Sequence, residues 1–136
     1  MTPEEKTLVR ASFAEVAPIS DQAGALFYGR LFELDPSLRP LFSGDMAEQA
    51  RKLMTMIATV VRNLDNVDVL VPAVEGLGKR HARYGVVDSH YATVGEALIW
   101  TLDKGLGEKF TAEVKSAWLT AYTFLSGVMK AAAKPA

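Results

Sequence analysis

Apolar residues recur along this chain at spacings of three and four, and over no useful length do they alternate with period two. Leu8, Val9, Phe13 and Val16 mark the first apolar face. Ahead of it, Thr2 reads as an N-cap, Pro3 as a first-turn residue and Glu5 as the partner in a capping box. Pro18 should end this helix and Ser20 should cap the next, which carries Phe27, Leu31 and Leu34 with Tyr28 at the edge of their face. Asp35-Pro36 is a stop and restart. Pro40 follows so closely that only a short, tight helix ending at Leu41-Phe42 fits. Ser43-Gly44 reads as a loop, and Asp45 with Glu48 as the next capping pair. Leu53, Ile57, Val60, Val61 and Leu64 then repeat at helical spacing.

Gln49 lies four residues before Leu53, so the pattern puts a polar side chain on nearly the same face. After a polar connector from 63 to 68, Val71, Val74, Leu77 and His81 form an apolar line started near Pro72 and interrupted at Gly85. Asp88 and Ser89 offer caps for a helix with Tyr91, Val94, Leu98 and Leu102, which Gly105 and Gly107 break. Thr111 caps the last helix, with Val114, Trp118, Tyr122, Leu125 and Met129. The alanine-rich end, 131–136, should fray. The pattern predicts an all-α domain with short helices in the middle and longer ones at the end. That unevenness suits helices crossing steeply around a pocket better than a symmetric bundle.

Composition narrows the picture. The 136 residues suffice for one domain with a real core, not for two. Basic and acidic residues nearly cancel, at 15 and 16, which argues against nucleic acid or an anionic membrane as partner. There is no cysteine, which excludes disulfides, thiolate metal sites and cysteine nucleophiles. The start, Thr2-Pro3-Glu4-Glu5, reads as a polar helix cap and not as a signal peptide, and no apolar run is long enough to cross a bilayer. A cytoplasmic location is expected.

The candidate chemistry starts at His81. Val74 and Leu77 share its face, while Lys79, Arg80 and Arg83 point elsewhere. A neutral imidazole on an apolar face, with its second ring nitrogen able to bond a carbonyl one turn back, suits an axial ligand for haem iron. It equally fits a satisfied core histidine, and its own surroundings leave both readings open.

Five further stretches bear on that choice. They are Leu26-Phe27-Tyr28-Gly29-Arg30-Leu31-Phe32, the run from Asp35 to Phe42, Arg51-Lys52-Leu53-Met54, Leu77 to Val86, and His90 to Glu96. With Ala117-Trp118 and Tyr122 they occur in an order that resembles the globin family. The resemblance is to bacterial single-domain haemoglobins, to neuroglobin and to the globin domain of flavohaemoglobins. It covers essentially the whole chain, 1–136, as one globin domain. It implies the globin fold, a three-on-three helical sandwich around a haem pocket.

By that resemblance, His81 is the proximal ligand of a haem b iron and Phe42 stacks on the porphyrin. Tyr28 and Gln49 take the two distal positions, and Leu53 lies beside the bound gas. Lys52 falls where neuroglobin-like chains place a lysine near the haem propionates. Tyr91 belongs to the proximal half of the pocket, and Leu77, Val86 and Val94 complete its apolar wall. His90 is a helix-start residue in this reading. The resemblance implies oxygen and nitric oxide as ligands, bound reversibly and tightly. It also admits nitric oxide dioxygenase activity, which would need a separate reductase.

Two departures matter. Neuroglobin carries a distal histidine that ligates its own iron, whereas Gln49 stands here, so a five-coordinate ferrous iron is expected. Flavohaemoglobins carry a glutamate near the end of the last globin helix. The matching place falls near Ala133, and without that charge peroxidase chemistry is disfavoured.

Overall fold

The capping box at the start of the chain forms. Thr2 Oγ accepts from the Glu5 N–H at 3.1 Å, and the Glu5 carboxylate accepts from the Thr2 N–H at 2.8 Å. It opens helix α1, Pro3–Val16. In this computed structural model, which describes residues 1–42 and 44–134, five α-helices follow. They are α2 (Ser20–Leu34), α3 (Met46–Arg62), α4 (Val67–Arg83), α5 (Asp88–Leu106) and α6 (Ala112–Ala133). A six-residue 3-10 segment, Pro36–Leu41, joins α2 to the loop before α3. Among the described residues there is no strand, and no helix is long and apolar enough to cross a membrane.

Several boundaries differ from expectation. Ser20 does not cap α2; its hydroxyl donates to the Ala17 carbonyl, and a 3-10 turn over Ala17–Ile19 carries the chain past Pro18. α4 starts at Val67, one turn and more before Pro72. The proline is tolerated because it sits exposed near the start, where it removes one intrahelical bond and its ring faces solvent. Neither Asp88 nor Ser89 caps α5. The cap is His90, whose Nδ1 accepts from the Val87 N–H at 3.1 Å. α5 runs through Gly105 and ends at Gly107, whose φ of +58° a side chain would disfavour. α6 runs through Ala133, while 135 and 136, like Ser43 of the expected loop, lie outside the described residues.

Packing follows the apolar faces. α4 lies on α6, α2 lies on both α5 and α3, and α1 lies on α6. One core cluster includes Val9, Val16, Met54, Leu102, Val114 and Trp118. It contains a polar tie, in which Trp118 Nε1 donates to Ser12 Oγ at 2.8 Å and Ser12 donates on to the Leu8 carbonyl. A buried indole N–H needs such a partner. A second cluster, Phe27, Leu31, Leu38 and Ala97, lies under the 3-10 segment.

Two glycines set how closely helices approach. A Cβ on Gly24 would stand 2.6 Å from the Ala50 Cβ, bringing α2 and α3 together. A Cβ on Gly78 would stand 2.5 Å from the Met129 carbonyl oxygen, and α4 meets α6 there. Forcing those backbones apart costs about 1–3 kcal/mol. Gly78→Ala is therefore expected to lower the melting temperature by several degrees, read by circular dichroism. An unchanged melt would contradict the close contact.

Candidate ligand cavity

Between these helices lies a cavity with an apolar wall and about 1300 Å³ of space, open mouth included. Its polar edge is sparse: Tyr28, His81, His90, Tyr91, Tyr122 and Ser126 reach it. The helices present these side chains from separate walls. Tyr28 comes from α2, which packs on α3 and α5. His81 comes from α4, which packs on α6.

His81 is held by its own helix. Its Nδ1 lies 2.8 Å from the Leu77 carbonyl oxygen, one turn earlier. A carbonyl can only accept, so Nδ1 carries a proton and Nε2 is the nitrogen left to act as a ligand. Past His81 the helix closes at Tyr84, and Gly85, at φ +92°, turns the chain. The Val86 N–H then returns to the His81 carbonyl at 3.0 Å, which sets Val86 on the cavity wall.

Phe42 is placed by the tight turn before it. Its N–H donates to the Arg39 carbonyl at 3.1 Å, and the Arg39 guanidinium donates back to the Phe42 carbonyl at 3.2 Å. Its ring meets Tyr28 edge-on at 5.3 Å and Phe32 at 5.5 Å. Tyr28 is also edged by Phe27 at 5.0 Å and stacked by Phe32 at 6.1 Å. Its hydroxyl makes no hydrogen bond among the described residues. Burial pushes its phenol up to about 12.

On the α5 and α6 side, the Tyr122 hydroxyl donates to the Tyr91 carbonyl at 2.6 Å. Tyr122 lies so close to α5 that a Cβ on Gly95 would stand 2.9 Å from its ring. Burial raises the Tyr122 phenol well above the ordinary range, and burial followed by the Asp88 charge raises Tyr91. All three buried phenols thus hold protons that an unfolded chain releases from about pH 10. Between about pH 10 and 12 the unfolded state binds fewer protons, so stability is complete below that window and falls as pH rises through it. Urea denaturation across about pH 8 to 11 should show the midpoint fall at the alkaline end. A midpoint that stays level would contradict the burial of these rings.

Of the residues expected at the site, Tyr28, Phe42, Leu53 and Leu77 line the cavity. So do His81, Val86, Tyr91 and Val94. Gln49 and Lys52 do not. Gln49 is half-buried on the first turn of α3, off the cavity wall. The helical period puts it near the face of Leu53, but it stands one turn earlier, at the start of α3, where it does not border the cavity. Lys52 is exposed and pairs with Glu48 at 3.9 Å. His90 and Tyr122 line the cavity without having been assigned to the site. For His90 a signal existed: it lies three residues after Val87, where a side chain can cap a helix start.

No group of three or more His, Cys, Asp or Glu side chains able to hold a metal ion occurs among the described residues. His81 alone can serve a metal that arrives with its other donors already in place. A flat apolar cofactor carrying its own four donors meets that condition, and the aromatic and aliphatic walls suit it.

The family model for globins matches residues 25–129. Neuroglobin-1 of Oncorhynchus mykiss is 33% identical over 143 residues, spanning 95% of this chain and 90% of its own. Neuroglobin of Danio rerio is 32% identical over the same shares. Among solved structures, an engineered carbene transferase, described as a putative nitric oxide dioxygenase from Rhodothermus marinus, superposes with a TM-score of 0.88. It is 31% identical and the match covers 98% of this chain and 93% of that one. A hexacoordinated haem protein from an anhydrobiotic tardigrade superposes with a TM-score of 0.90 at 18% identity, covering 99% and 96%. At that identity the likeness is one of fold.

Proposed function

This chain belongs to the globin family, with its all-α, three-on-three fold, and from that premise we propose that it seats haem on His81 and binds a small gas against Tyr28. The observation that carries the reading is the bond from His81 Nδ1 to the Leu77 carbonyl, which reserves Nε2 for a metal. With no cysteine in the chain, no thioether link to the haem can form, which fits haem b. When bound, haem supplies an iron that takes up oxygen or nitric oxide and moves electron density onto it.

The chain's own residues do the rest. His81 Nε2 would hold the iron, and the Leu77 carbonyl orients the imidazole and raises its basicity. Phe42, Leu53 and Val94 exclude water from the faces of a flat ring. Tyr28 offers a hydroxyl with no partner among the described residues, and its raised pKa keeps it a donor at neutral and mildly alkaline pH. Gas that gathers charge in this dry space is held by that donor. Gln49, off the wall, leaves Tyr28 as the principal donor to the ligand.

The testing experiment is the absorption spectrum of the purified, reduced protein without added gas. It should show a Soret band and the broad visible band of five-coordinate iron. The chain has two histidines, and the second, His90, has Nδ1 engaged in capping α5. Absence of a Soret band would overturn the haem reading. A sharp low-spin spectrum would show a second protein ligand.

A second reading is nitric oxide dioxygenase, favoured by the likeness to the putative dioxygenase of Rhodothermus marinus. The net reaction joins nitric oxide, oxygen and one electron into nitrate, and a separate reductase supplies the electron. Tight oxygen capture serves it, because the oxygen must wait for nitric oxide. Nitrate formation above background with a flavin reductase present would favour this reading over storage.

A further inference from the structure

Tyr28 borders two spaces. One is the cavity. The other is a groove on the α2–α3 side of the molecule, with about 920 Å³ of space counting its open side. Among the described residues Tyr28 alone lines both. Small residues, Ala25, Gly29 and Ala47, form part of the groove's lining, and charged ones, Asp21, Arg39 and Arg51, another part. The two helices touch at Gly24 and Ala50, yet farther along α2 a Cβ on Gly29 would meet nothing within 4 Å. Tyr28 thus stands between the groove and the cavity.

We propose that this groove is the portal by which uncharged diatomic gases reach the Tyr28 side of the cavity, with the Tyr28 ring as the partition. The inference rests on the haem reading, since the gases it admits are haem ligands. Three observations support it. Tyr28 makes no hydrogen bond among the described residues, so its ring can swing without breaking a polar contact. Its neighbours are rings, Phe27, Phe32 and Phe42, so it is held by apolar contact. A flat cofactor seated on His81 would fill the space in front of that wall, so a gas needs another way to the opposite side. The portal also selects. A neutral diatomic loses little on passing an apolar ring, whereas an anion must shed its water.

A plug tests this. Gly29→Trp places an indole in open space on an exposed stretch of helix, and Ala25→Phe fills the same groove one turn earlier. Leu119→Trp, on an exposed face of α6, controls for bulk. Carbon monoxide association and dissociation are measured on the haem-loaded proteins by flash photolysis and ligand replacement. Blocking a route should slow both rates by the same factor, about threefold or more, and leave affinity unchanged. Changing the Tyr28 donor would instead alter affinity. A second readout needs no ligand turnover. In the carbon monoxide form, dissolved oxygen gas should broaden the Tyr28 ring resonances by NMR, and the plugs should remove that broadening. Equal rates in parent and plugged proteins, with a normal carbon monoxide spectrum, would overturn the portal alone. Failure of the parent to show any carbon monoxide band would overturn the haem reading and the portal with it.

Discussion

Exchanging Tyr28 for phenylalanine is expected to speed oxygen release about ten- to a hundredfold. The hydroxyl is the polar atom at the α2 wall, and burial keeps it protonated, pushing its pKa up to about 12. A hydrogen bond to an acceptor that has gained charge contributes about 1.5–3 kcal/mol. Each 1.4 kcal/mol lost from the bound state is about tenfold in the dissociation rate. The ring itself stays, edged by Phe27 and Phe42, so packing changes little. Stopped-flow displacement of oxygen reads the effect directly. A variant that releases oxygen no faster than the parent would show that the hydroxyl does not reach the ligand. Carbon monoxide, which gains less charge, should respond less in the same variant.

The second large effect belongs to His81. His81→Gly should lower haem retention by more than about a hundredfold, since changing even the outer partners of a metal ligand costs 10- to 100-fold. The Leu77 carbonyl would lose its donor, and the cavity would keep only apolar contacts for the macrocycle. Added imidazole should restore the Soret spectrum by filling the vacated space, which a merely unfolded protein could not do. Haem transfer to a scavenging apoprotein measures the loss. If the variant kept its haem as well as the parent, another residue would be the ligand.

The character of each helix is legible in the sequence. Thr2 with Glu5, and Thr111, have the cap chemistry their positions need, and both cap their helices. The period of Val74, Leu77 and His81 placed the imidazole on an inward face, and the bond to Leu77 O follows from four-residue spacing alone. What failed were boundaries and rotations. Ser20 and Ser89 carry cap chemistry, but they lie inside α2 and α5, one and two residues past the N-caps Ile19 and Val87. Pro72 looked like a start because a proline's cost is local, whereas α4 gains more by extending back to bury Leu70.

By itself the sequence determined the local arithmetic of this protein: helices by period, termini by caps, an inward histidine, and a phenylalanine at the end of a tight turn. Those depend on residues within a turn or two of each other. Only the tertiary structure decided that Gln49 leaves the wall while Leu53 stays, that His90 and Tyr122 join it, and that Tyr28 faces a cavity and a groove at once. Tyr122 reaches the wall where Gly95 leaves room for its ring against α5, and Gly24 on Ala50 sets how closely α2 and α3 meet. A contact between residues far apart in sequence sets a helix's rotation, and no local period contains it.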